Sequence, residues 1–142
     1  MKSFYSWVDF GFLPHIPQSL QHLANRDMAE KAGGRIIFYG AEEPHTVASQ
    51  ELVRAKLERT GPLEGFVFFS VFQFCYGPEF HFSLLKTMVE SRRMEVHFAR
   101  EGISIRNPDQ LREQFDFLYS MDFTRRRESA NDPFFRNLLA SV

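Results

Sequence analysis

Two glutamates, a serine and a histidine fall at or near the ends of apolar runs, and that placement gives them chemical interest. Arg35 to Gly40 reads RIIFYG and leads into Glu42 and Glu43. Met94 to Ala99 reads MEVHFA, carries His97 and leads into Glu101. Gly65 to Phe74 reads GFVFFSVFQF, with Ser70 the only hydroxyl in it. The last run has the length of a strand, and its β-branched and aromatic content suits one buried on both faces. If the strands are parallel neighbours, their polar ends meet along one edge, where open parallel sheets bind ligands. Glu42 and Glu101 would there form a carboxylate pair, one an acid of raised pKa and the other an ionised base or nucleophile. The alternative is two exposed loop glutamates. His97 also has two readings: a general base four residues before Glu101, or a structural imidazole tied to backbone or carboxylate inside a strand.

Ser70 lacks a G-x-S-x-G elbow, so it is expected to contact a ligand rather than to act as a nucleophile. Gln18 and Gln21 fall on the first turn of a helix opened by Pro17, whose free N–H groups favour an anion, and both suit a polyol or phosphate. Arg26 either grips a carboxylate or phosphate or pairs with Asp27. Phe72, Phe74 and Tyr76 offer an apolar floor for a sugar. The remaining histidines, His15, His22, His45 and His81, show no H-x-x-x-H or H-E-x-x-H spacing, and no metal site is expected. Neither G-x-G-x-x-G nor G-x-x-x-x-G-K-[ST] occurs, so no nucleotide cofactor is expected and none other is called for.

The elements that must position these residues alternate. Phe4 to Phe10 reads as a first strand, broken by Gly11, Pro14 and Pro17. The helix after Pro17 takes Leu20, Leu23, Ala24 and Met28 as its apolar face and ends at Gly33-Gly34. Strand two spans 35–40, and helix two runs from about Thr46 to Arg59 with Leu52, Val53 and Leu57 inward. Strand three spans 65–72. Gly77-Pro78 opens helix three, whose stripe is Leu84, Leu85, Met88 and Val89. Strand four spans 94–99. Asn107-Pro108-Asp109 starts helix four, with Leu111, Phe115 and Leu118 inward. This alternation predicts an α/β fold: a flavodoxin-like, three-layer sandwich with a parallel sheet of four strands, or five with Ile103–Ile105, and helices on both faces. Residues 1–122 form the domain. Residues 123–142, with Arg125 to Arg127, Phe134-Phe135 and Leu138-Leu139, form a tail or an arm that docks on a neighbouring subunit.

The 142 residues suit one domain with a core of its own. A net charge of −1 argues against a general nucleic-acid surface. The single cysteine, Cys75, excludes a disulfide framework within one chain and fits a reducing compartment. No apolar run is long enough to span a bilayer. The opening MKSFYSWVDFGF holds an aspartate and no small-residue cleavage site, so no signal peptide is expected and the expected location is the cytoplasm. Seventeen phenylalanines against one tryptophan exceed what strand cores need and suggest a homo-oligomer, a dimer or higher.

Several of these residues carry a resemblance. Ile16-Pro17-Gln18 with Gln21, Leu23, Arg26 and Asp27, then Glu42, Gly65, Phe69 to Phe72, His97 to Ala99 and Glu101, resemble the sporadic carbohydrate cluster proteins over about residues 10–120. The resemblance implies a role among surface-polysaccharide and sugar-biosynthesis genes and specifies no reaction. A more distant similarity is to the catalytic domain of serine recombinases (resolvases): the same βα order, a Gln-bearing first helix, and an E-G-I-x-I segment at Glu101 to Ile105. That family's chemistry needs a serine after strand one, where this chain has Leu13-Pro14, and arginines that the Ser70–Pro78 segment lacks. The expected function is therefore the binding or modification of a sugar or sugar phosphate. A non-catalytic oligomeric scaffold is the second reading, and a recombinase-derived nucleic-acid protein the weakest.

Overall fold

The computed structural model describes residues 1–9, 16–42, 51–76, 79–80 and 82–131; for 75, 76, 79, 80 and 121–131 the description is of backbone only. Strand β1 spans Lys2–Asp9, helix α1 Gln18–Lys31, β2 Gly34–Glu42, α2 Glu51–Arg59 and β3 Gly65–Phe68. A 3-10 turn over Val71–Phe74 leads into two short strands, β4 Cys75–Tyr76 and β5 Glu79–Phe80, which pair only with each other. Helix α3, Phe82–Lys86, continues into a π-turn over Thr87–Ser91; β6 is Glu95–Phe98, β7 is Ile103–Ile105, and α4 is Pro108–Asn131.

The fold is mixed α/β, built on a five-stranded sheet in the order β2-β1-β3-β6-β7. The first four strands are parallel and β7 runs antiparallel to β6. The sheet is therefore not wholly parallel as expected. The reason is chain length: four residues, 99–102, separate β6 from β7, and a parallel crossover needs a dozen or more.

Alternation along the strands divides the core. Phe66, Phe68, Val96, Phe98, Ile103 and Ile105 pack with Val53 and Leu57 of α2, Leu84 and Leu85 of α3, Met88 and Val89, and Leu111 and Leu118 of α4. Phe68 meets Phe74 edge-on at 4.8 Å between centroids, and Phe74 meets Phe98 in the same way at 5.7 Å. Burial of each such ring stabilises the fold by about 2 kcal/mol. Phe4, Val67 and Ala29 form a smaller cluster under α1, with Met28, Ile36 and Ala99 against it. Gly33 ends α1 at φ 85°, a conformation that a side chain would strain.

The helix faces differ from the apolar spacing. In α1 the buried positions are Gln21, Asn25 and Ala29, while Leu20 and Leu23 are about half exposed. The inner face of α1 is polar because it covers backbone carbonyls, which Gln21 and Asn25 bond. In α2 Leu52 turns outward, and in α4 Phe115 is partly exposed. The buried stripe Leu84, Leu85, Met88 and Val89 is as expected, although α3 starts at Phe82 rather than at Gly77-Pro78. Strand three ends at Phe68, four residues early, because the chain turns into the 3-10 turn after Ser70. Helix α4 runs unbroken through position 122, so the boundary expected there falls inside a helix. Residues 132–142, the rest of the expected arm, lie outside the described residues.

Candidate functional site: a carboxylate pair at the strand ends

Strands β1 and β2 end together, and each ends on a carboxylate. The β1–β2 register slips by one residue between Phe4 and Tyr5, leaving Ile37 without a partner, and from there Tyr5 faces Phe38 and Asp9 faces Glu42. Without that bulge Asp9 would lie opposite Ala41. Both carboxylates are buried. Glu42 Oε2 accepts hydrogen bonds from Trp7 Nε1–H at 2.8 Å and from the Val53 N–H, in the first described turn of α2, at 3.3 Å. These donors stabilise negative charge on Glu42. No hydrogen bond reaches the Asp9 carboxyl among the described residues. Burial first, and the charge of Glu42 second, push the Asp9 pKa up to about 8. The pair therefore sets a carboxyl of strongly raised pKa beside one that accepts two N–H bonds: an acid and a base candidate on neighbouring strands.

Glu101 does not join Glu42. It accepts from the Ser70 hydroxyl at 2.9 Å with one oxygen and from the Val71 N–H at 2.9 Å with the other. Ser70 Oγ in turn accepts from the Phe72 N–H at 3.2 Å. Glu101 thus caps the 3-10 turn that follows β3. Gln73 joins this latch to β1: its Oε1 accepts from the Ser70 N–H at 3.0 Å and its Nε2–H donates to the Trp7 carbonyl at 3.2 Å. The two carboxylate sites thus share one edge of the sheet, with Gln73 and Trp7 between them.

His97 is fully buried on the α1 face of β6, with Nδ1 2.8 Å from Ser104 Oγ and Nε2 3.1 Å from Glu95 Oε1. Glu95 also pairs with Lys2 at 2.7 Å and Arg106 at 3.5 Å. Burial lowers the His97 pKa, against the opposing bond and charge of Glu95, with Arg106 and Lys2 adding to the lowering. Both ring nitrogens are occupied, by Ser104 on β7 and by Glu95 at the amino end of β6, and neither meets Asp9 or Glu42.

Gln21 is buried and donates to the carbonyls of Ile16 at 3.0 Å and Asp9 at 3.5 Å, so it fixes the chain on both sides of the β1–α1 connection. Gln18 and Arg26 are exposed on α1. Asp27 pairs with Lys31 at 2.7 Å, one turn on, rather than with Arg26. Phe74 belongs to the core, and Phe72 stacks under the Arg100 guanidinium, 5.6 Å from the ring centroid. Tyr76 lies on β4, and its side chain, like His15, Glu43, His45 and His81, lies outside the described residues.

Asp9, Trp7 and Gln73 are the site residues that sequence reasoning missed. Asp9 carried the signal that singled out Glu42, a charged residue closing an apolar strand, but the strand was read through to Phe10. Among the described residues no group of three His, Cys, Asp or Glu side chains is placed to hold a metal ion, and no helix is long and apolar enough to cross a membrane. No protein-family model matches the chain, and no curated protein matches it.

Proposed function

We propose that this chain binds or modifies a sugar or sugar phosphate at the carboxyl edge of its sheet, with Asp9 as the proton-bearing acid and Glu42 as its basic partner. One observation carries the reading: two buried carboxylates share a register position at the ends of adjacent parallel strands, one with two N–H donors and the other with none among the described residues. A protonated carboxyl donates to a sugar oxygen, and the carboxylate beside it accepts from a hydroxyl. The resemblance to sporadic carbohydrate cluster proteins points to the same substrate class. The strand order supports a flavodoxin-like, resolvase-like assignment of the fold. The proposed setting is cytoplasmic carbohydrate biosynthesis.

The test is genetic and physical together. Asp9→Asn and Glu42→Gln are introduced, folding is checked by circular dichroism, and the cell's surface glycan is measured. Loss of glycan with folding retained supports the site; normal folding with unchanged glycan sinks it. Crystals soaked with nucleotide sugars and sugar phosphates then identify the ligand.

The second reading, a non-catalytic oligomeric scaffold, draws on exposed aromatics of α4: Phe115 at 40%, Phe117 at 45% and Tyr119 at 58%. Phe115 and Tyr119 stack on one face of α4 while Phe117, two positions from each, lies on another, and rings this accessible favour a second copy as partner. Light scattering of Phe117→Ser/Tyr119→Ser checks it: a fall in mass supports the interface, and an unchanged mass removes it.

A further inference from the structure

Beneath α1 lies a polar group that the proposed site does not use. Asn25 is fully buried on the inner face of the helix. Its Nδ2 donates to Ser6 Oγ at 2.9 Å and to the Val67 carbonyl at 3.1 Å, which uses both amide hydrogens. Its Oδ1 is buried and has no hydrogen-bond partner. Exchanging the amide oxygen and nitrogen does not cure this, because it would set Oδ1 against the Val67 carbonyl, acceptor against acceptor. Ser6 cannot turn to help either. Its oxygen accepts from Asn25 and lies 2.7 Å from His22 Nδ1. Burial lowers the His22 pKa.

We infer that a water molecule is bound between α1 and the sheet, donating a hydrogen bond to Asn25 Oδ1. A buried amide oxygen left without a donor is strongly disfavoured, and internal waters are the usual remedy where no side chain can reach. Phe4, Ala29, Val67 and Ala99, which pack together under α1, are apolar and supply no side-chain donor. This water explains why a polar asparagine stands on the inner face of α1: two of its three hydrogen-bonding functions anchor helix to sheet, and the third is hydrated.

The test is a crystal structure at better than about 1.5 Å, in which ordered waters are resolved. A density peak at hydrogen-bond distance from Asn25 Oδ1, with Nδ2 still on Ser6 and Val67, supports the inference. A dry Oδ1, or an Oδ1 satisfied by a protein donor, overturns it. In solution, oxygen-17 relaxation dispersion counts long-lived waters. Asn25→Leu should lose one such water relative to the wild type, and an equal count overturns the assignment. If that variant fails to fold, the wild-type crystal decides alone.

Discussion

Asp9 makes the folded protein bind a proton that the unfolded chain does not. Its carboxyl ordinarily titrates at 3.8, and the fold raises this to about 8. Below pH 4 both states hold the proton and stability is unaffected. Between the two values only the folded state holds it, so stability falls as pH rises, by about 1.4 kcal/mol per unit. Above pH 8 the folded state has lost the proton too, and the whole cost is present. A rise of about four units corresponds to a loss of about 5 kcal/mol across the window, and about 4 by pH 7. Asp9→Asn removes the titrating group while keeping its shape. The assay is urea unfolding of wild type and variant from pH 4 to 9, followed by the fluorescence of Trp7, the only tryptophan. The stability of Asp9→Asn minus that of wild type should climb by several kcal/mol over this range. His22 and His97 also titrate here, but they are present in both proteins and cancel in the difference. In the folded wild type the Trp7 emission should itself shift near pH 8, because its indole N–H is bonded to Glu42. Parallel stability curves for the two proteins would refute the reasoning.

Further outcomes follow from the same contacts. Glu101→Gln weakens the charge-assisted bonds to Ser70 and Val71 and should cost about 1–3 kcal/mol by chemical denaturation; unchanged stability would show that the latch contributes nothing. Gly40→Ala places a methyl against the Trp7 ring and should displace the indole, costing about 1–3 kcal/mol and changing the Trp7 emission, whereas an unaltered spectrum contradicts that close approach. The lowered pKa values of His22 and His97 mean that the unfolded chain binds protons more readily below about pH 6.5, so in Asp9→Asn, where the opposing titration of Asp9 is removed, stability should fall on acidification from pH 7 to 5. His97→Gln should flatten part of that fall, and an identical slope would show that His97 does not contribute.

Much of the architecture was legible because it rests on local patterns. Each apolar run from Phe4 to Phe98 supplied a strand of the sheet, the run from Gly65 only through its first four residues, and the stripe Leu84, Leu85, Met88 and Val89 became buried. The antiparallel β7 was legible in principle from the short link before it. The faces of α1 were not. Leu20 and Leu23 keep helical spacing, yet Gln21 and Asn25 turn inward because the carbonyls of Ile16 and Val67 need donors. One acceptor lies just ahead of the helix and the other on β3, so no periodicity within the helix announces them.

The candidate site divides the same way. The sequence by itself determined that Glu42, Ser70 and Glu101 stand at or just past the polar ends of strands, since strand length and hydrophobicity are local properties; that β2 is a half-exposed edge strand was not legible. Only the tertiary structure decided the partners. It gave Glu101 to Ser70 and Val71, enclosed His97 between Ser104 and Glu95, and set Asp9 beside Glu42. The last pairing depends on a one-residue bulge in an edge strand. Register is fixed by contacts between strands, and 24 residues separate β1 from β2. Hydrophobic pattern can say that both strands end on an acid; the bulge decides that the two acids meet.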